Sequence, residues 1–180
     1  VETIGAEASM AFIGNTKHNV PFMLKHSDFF EELPEKYYDS AFIDRLHAFL
    51  PGWEIDIIRG EMFSEGYGFV VDYIAEILRD LRKQDFSDRY SEHFELSSDI
   101  ATRDKDAINK TFSGLMKIVF PNGNQTEKET EEILKFAIEC RKRVKDQLKR
   151  IDSTFGKVQF AYTNNNGQLI SVNTLEEIEF

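Results

Sequence analysis

The chain has 180 residues and a formal net charge of −10, a length that suits about one domain with a sizeable core. With 4 prolines, 10 glycines and 41% hydrophobic residues it is neither collagen-like nor extensively disordered. No apolar run reaches the ~20 residues that a membrane span needs, and the lone Cys140 excludes an intrachain disulfide or a multi-cysteine zinc site. A single cysteine and no basic-then-apolar leader suit a reducing, cytoplasmic setting, with no membrane partner. Because the sequence begins at Val1, it is expected to be part of a longer chain.

Charge is unevenly distributed. Residues 1–100 hold 9 basic and 20 acidic groups, whereas residues 101–157 hold 13 basic and 9 acidic groups. An acidic body opposes whole-surface nucleic-acid binding, yet it leaves a local basic face able to meet phosphate.

In chain order, Ala8–Ile13 is a short apolar run closed by Gly14-Asn15, the pattern of a buried strand ending at a turn. Asp39-Ser40 can cap a helix over 39–47 that places Phe42, Ile43 and Leu46 on one side. His47–Leu50 reads as a second short strand, stopped by Pro51-Gly52. From Phe69 to Leu81 apolar residues recur at three- and four-residue steps, which predicts an amphipathic helix. A further helix opens at Asp104 or Asp106, carries Ile108, Phe112, Leu115, Met116 and Val119, and stops at Pro121-Asn122-Gly123. Thr126 and Glu129 form a capping box for the longest helix, with a stripe of Ile133, Ala137, Cys140, Val144, Leu148 and Ile151. Arg141, Lys142, Arg143, Lys145, Lys149 and Arg150 surround that stripe with positive charge. Finally, Val158–Tyr162, a turn at Asn164–Gly167 and Leu169–Val172 make a β-hairpin signal. Phe69, Ile74, Leu78, Phe112, Leu115, Ile133, Val144 and Leu148 are the expected helical core.

Few residues carry a chemical signal. There is no nucleophile elbow, no His-Glu-x-x-His, no paired zinc-ligand spacing and no phosphate-binding Gly-x-x-x-x-Gly-Lys-Ser/Thr loop. His18, His26, His47 and His93 do not cluster in sequence and read as surface or core residues. Cys140 lies on an apolar stripe and reads as a small hydrophobe. Asn15 stands just past a strand end, where open α/β sheets collect ligands, although such a residue also caps turns. Arg45 ends a short helix and offers a guanidinium fork to a partner's phosphates; alternatively it forms a surface ion pair with Asp44.

Together these pieces resemble the second half of an AAA+ ATPase module. Ala8–Asn15 resembles the strand that ends in the sensor 1 asparagine. Phe42-Ile-Asp-Arg45-Leu46 resembles an arginine-finger signature, and Leu115-Met-Lys-Ile118 resembles a lid-helix motif that puts Lys110 at the sensor 2 position. A wider resemblance runs through Phe12–Asn15, Leu33-Pro34, Asp39–His47, Leu50–Glu54, Gly66–Tyr73, Ser113–Lys117 and Arg141–Leu148. These segments are similar to the Lon-related proteins of bacterial BREX phage-defence systems, a family described as ATP-dependent Lon-type proteases.

The resemblance implies a predominantly α protein, in which residues 1–60 are an α/β remnant of an AAA+ core and 61–152 a mainly helical lid. Residues 153–180 would be a β-hairpin linker toward a Lon-like domain. It implies a parent that assembles into rings, binds DNA and uses ATP and magnesium held by a phosphate loop preceding Val1. Asn15 would then orient water, Arg45 would act in trans on the γ-phosphate, and Lys110 would join nucleotide to lid. Alone, this segment is expected to bind no cofactor and to be inactive. The rival reading is a non-catalytic helical interaction module whose basic helix at 135–150 binds DNA or a protein partner.

Overall fold

A computed structural model describes residues 8–179. In chain order these form α1 (Val20–His26), α2 (Ser40–Ile43), α3 (Val71–Leu81), β1 (Phe94–Leu96), α4 (Thr102–Val119), α5 (Glu127–Ile151), β2 (Ala161–Asn164), β3 (Leu169–Ser171) and α6 (Leu175–Glu179). The architecture is thus mainly helical, with one three-stranded antiparallel sheet in the order β1-β2-β3. No helix among the described residues is long and apolar enough to cross a membrane.

Helix α5 is the spine. It starts at the capping box read from the sequence: the Thr126 hydroxyl accepts from the Glu129 amide at 3.3 Å, and the Glu129 carboxylate accepts from the Thr126 amide at 2.7 Å. Its first half lays Leu134, Ala137 and Ile138 against Ile108, Phe112 and Met116 of α4 and against Phe94, Leu96, Phe160 and Tyr162 of the sheet region. Its second half lays Val144 and Leu148 against Phe30 and Ile43, flanked by Phe42, Leu46 and Phe49. A single helix therefore serves two apolar clusters, and the stripe of 3- and 4-residue steps runs through both.

The hairpin forms as its turn residues demand. Tyr162 pairs with Ile170, and Gly167 supplies the positive φ of 73° that side-chain-bearing residues resist. Its third strand, β1, was not legible: three residues are too short a run for alternation to register. The sheet packs Phe160, Tyr162 and Val172 into the same cluster as α4 and α5.

Four expectations need correction. Residues 8–13 are irregular and exposed rather than a buried strand, with Ile13 fully open to solvent. A strand needs a neighbour for its amide and carbonyl groups, and within residues 8–179 the sheet lies elsewhere. His47–Leu50 is likewise not a strand; it follows α5 through one hydrogen bond, from the Phe49 amide to the Cys140 carbonyl at 3.0 Å. The helix predicted over 39–47 is only four residues long, although its Asp39 cap is as read. Of the expected core, Phe112, Val144 and Leu148 are buried, and Leu115 and Ile133 are half-buried. Phe69, Ile74 and Leu78 are exposed, since α3 forms but buries none of its side chains.

Candidate functional site

The short helix α2 sets the geometry around Arg45. Its first turn is closed by the Asp39 carboxylate, which accepts from the Phe42 amide at 2.8 Å. Ile43 then drops into the second apolar cluster, with Phe42 and Leu46 packed beside it. Helical geometry sends the next two side chains in different directions: Asp44 turns inward and is buried, and Arg45 faces solvent.

Asp44 meets three cations of the helical module. Arg141 Nη2 and Lys145 Nζ lie 3.0 and 3.1 Å from Oδ1, and Arg103 pairs with Oδ2. Burial works against the Asp44 charge, but hydrogen bonds from Arg103 and Lys145 and the fields of Lys145 and Arg141 outweigh it, holding the pKa below the usual carboxylate value. Asp44 is thus engaged elsewhere, and the surface Asp44–Arg45 ion pair does not form. Arg45 donates from Nη1 to the Ala41 carbonyl, capping its own helix, and otherwise projects outward.

Lys110, on α4, approaches the same segment. Its Nζ lies 3.3 Å from His47 Nε2. An ammonium only donates, so Nε2 must accept, which places the imidazole proton on Nδ1. Burial, reinforced by Lys110 and Arg141, lowers the His47 pKa and favours that neutral ring. Lys110 also borders an open cleft of about 440 Å³ together with Asn109, Ser113, Lys117, Asp85 and Asp106. Two amines and two hydroxyls, those of Ser87 and Ser113, suit one phosphate group, whereas the two carboxylates oppose a larger anion.

Asn15 is exposed in irregular chain. Its segment reaches α2 through Phe12, whose ring lies 6.0 Å from Phe42 and 5.5 Å from Tyr37. Asn15 and Lys110 thus both belong to segments that touch the stretch carrying Arg45, through Phe12 and His47 respectively.

Most of the basic residues read as surrounding the α5 stripe are not open to solvent. Arg141, Lys142 and Arg143 are buried, and Lys145 is nearly so. Arg143 binds Glu176 at 2.9 Å and Glu54 at 2.6 Å; Lys142 binds Asp146 and Glu177, each at 2.7 Å. Arg150 is exposed but donates to the Ser27 and Leu24 carbonyls. A DNA-binding face built on 135–150 loses most of its charge to these internal partners. Cys140 is buried as read, and burial pushes its thiol up to about 12. No group of residues suited to a metal ion occurs among the described residues.

Sequence reading missed His47 and Arg141. The signal for Arg141 was available: it stands four residues after Ala137 and three before Val144, on the apolar stripe itself. A charged residue at that spacing is buried only with partners, and Asp44 and Asp104 provide them.

Comparison with known proteins now fixes the class. Residues 1–161 match the family described as "Lon-like protease BrxL-like, ATPase domain". Two curated proteins called Lon-like protease BrxL are similar over nearly the whole chain. The one from Bacillus cereus (strain H3081.97) is 46% identical over 176 residues, which are 95% of this chain and 26% of that protein. The one from Escherichia coli O9:H4 (strain HS) is 39% identical over 177 residues, which are 98% of this chain and 24% of that protein. The chain is therefore a member of a Lon-like ATPase family. It belongs to the BrxL-like family, the BREX Lon-related proteins that its motifs resemble, and it spans about a quarter of the length of these relatives.

Proposed function

We propose that this chain supplies three residues to ATP hydrolysis in a ring-forming, cytoplasmic Lon-like ATPase that remodels DNA or protein. Bound ATP with magnesium provides the scissile γ-phosphoryl group and part of the charge neutralisation. Arg45 reaches across a subunit boundary and stabilises the charge that develops on that group. Asn15 holds the attacking water by its side-chain amide. Lys110 joins the nucleotide to the helical module, and His47 keeps the lysine directed by accepting one of its protons' hydrogen bonds. This assigns residues 1–60 to the end of an AAA+ core and 61–152 to its lid.

The observation that carries this reading is the separation of Asp44 from Arg45. One is consumed by three internal cations while its neighbour is left outward and, among the described residues, free of a carboxylate. A surface ion pair gives no reason for that division; an arginine meant for another subunit does. Such an arginine is worth ~10³–10⁵ in rate.

The test mixes two variants of the full-length protein, Arg45→Ala and one with a disabled phosphate loop. Arg45→Ala alone should abolish most ATP turnover with nucleotide affinity nearly unchanged, because the guanidinium serves the transition state. Mixed rings should regain part of the activity, since some interfaces then join an intact loop to an intact arginine. Verified mixed rings without recovery would return Arg45 to a surface role.

A further inference from the structure

Arg141 donates four hydrogen bonds among the described residues, and two of them bracket Arg45. Its Nε donates to Asp104 Oδ1 at 2.7 Å. Its Nη1 donates to the Leu46 carbonyl at 2.5 Å, and its Nη2 to the Asp44 carbonyl at 3.1 Å and to Asp44 Oδ1 at 3.0 Å. The two carbonyls belong to the residues immediately before and after Arg45. One peptide group on each side of Arg45, the Asp44–Arg45 peptide that adjoins its Cα and the Leu46–His47 peptide one residue further on, is thus tied to one rigid guanidinium that is itself fully buried on α5.

Helix α2 ends at Ile43, and the chain from Leu46 to Leu50 is irregular. Two local turn bonds, from the Arg45 amide to the Phe42 carbonyl and from the Leu46 amide to the Ile43 carbonyl, both 2.9 Å, tie the segment only to itself. Without Arg141 the position of Arg45 would rest on these, the Asp44 side chain, the packing of Leu46, the Lys110–His47 contact and the bond from the Phe49 amide to the Cys140 carbonyl. Arg143 is the natural comparison. It is equally buried on the same helix, but its partners are Glu54, Glu139 and Glu176, all side chains and none beside Arg45. Burial of an arginine in α5 therefore does not by itself produce a bracket; the choice of two backbone carbonyls does.

We infer that Arg141 is a positioning residue for Arg45: it fixes the backbone on both sides of the outward guanidinium, so that the arginine offered to a neighbouring subunit is already in place. The inference rests on the proposed trans role of Arg45. Its physical basis is that transition-state electrostatics reward groups that need no rearrangement, and a displacement of about 1 Å can cost on the order of 10²-fold in rate. A lysine at position 141 keeps the charge but offers a flexible point donor, without the planar fork that reaches both carbonyls and both carboxylates together.

The experiment measures ATP turnover by the full-length protein carrying Arg141→Lys, Arg45→Ala, both, or Arg143→Lys, with folding checked by thermal melting and ring assembly by sedimentation. Arg141→Lys should lower kcat by ten-fold or more while KM stays within about two-fold. Added to Arg45→Ala it should lower kcat no further, and Arg143→Lys should leave kcat within about two-fold. If Arg141→Lys does not fold, Asp44→Asn takes its place, with the same kcat-only loss and the same non-additivity expected. Full turnover in Arg141→Lys beside a dead Arg45→Ala overturns the bracket alone. Equal losses in both Arg45 backgrounds, or an equal loss in Arg143→Lys, also overturn it, since the effect is then general to α5. Full turnover in Arg45→Ala removes the trans reading, and the bracket falls with it.

Discussion

Along α5, Ala137, Cys140, Val144 and Leu148 are sealed from solvent, and even Arg141 is fully buried; along α3, Tyr73, Ile74, Ile77 and Leu78 are each at least 40% exposed. Both helices have an apolar side and a charged side. The charges differ in what they do. On α3 Arg79 pairs with Glu76, and just past its end Lys83 pairs back to Asp80, both at the surface about one turn apart, contacts worth a few tenths of a kcal/mol. On α5, Arg141 and Arg143 pair with residues remote in sequence and tie the helix to α2, α4 and α6. Periodicity announces a helix and its apolar side. Whether another element covers that side is a tertiary fact.

The largest effect should come from breaking the buried network. Arg141→Met removes the partner that Asp104 holds at 2.6 Å and leaves Lys145 at 3.9 Å as its nearest cation. Stranding a buried carboxylate in this way should cost about 3–5 kcal/mol, read as a shift in urea midpoint of this chain. Next comes the apolar part of the same helix: Leu148→Ala should cost on the order of 2–5 kcal/mol, because its cluster with Phe30, Ile43 and Val144 cannot close over the void.

A smaller effect depends on pH. Asp44 has a depressed pKa in the fold, so its ionised form contributes stability above the unfolded value of 3.8, and that contribution disappears as pH falls through the folded value below it. Wild type should therefore exceed Asp44→Asn by a constant margin near neutrality, and the two should converge as pH falls below 3.8. Urea midpoints for both across that range would test the sign. A margin that widens on acidification contradicts the ion-pair assignment.

These contrasts also explain what could be read ahead of the structure. The α5 capping box, the Pro121-Asn122-Gly123 stop after α4 and the Asn-Gly hairpin are local signals, complete within a few residues, and each formed as its chemistry requires. Ala8–Ile13 failed as a strand because pairing depends on a neighbour that its own residues do not specify. Asp44 and Arg45 sit side by side in sequence, which suggested that they pair; the competing partners on α4 and α5 are 59 to 101 residues away and no local pattern announces them. Arg141 lay within reach of sequence reasoning, but the rule that lysine and arginine stay outside masked it.

The smallest expected effect bears most directly on the comparison. Leu78 occupies on α3 the kind of position that Leu148 occupies on α5, within an apolar stripe of 3- and 4-residue steps, yet it is 44% exposed whereas Leu148 is fully buried. Truncating an exposed side chain creates no cavity, and alanine suits a helix at least as well as leucine. Leu78→Ala should therefore change the stability of this chain by no more than about 0.5 kcal/mol. The α3 amides should also exchange with solvent far sooner than those of α5, since an eleven-residue helix without a buried face has little beyond its own hydrogen bonds to hold it. Urea midpoints and hydrogen exchange on the same sample check both halves. A loss of 2 kcal/mol or more at Leu78, with α3 protected as strongly as α5, would mean that the stripe is covered in solution, and the contrast between the two helices would vanish.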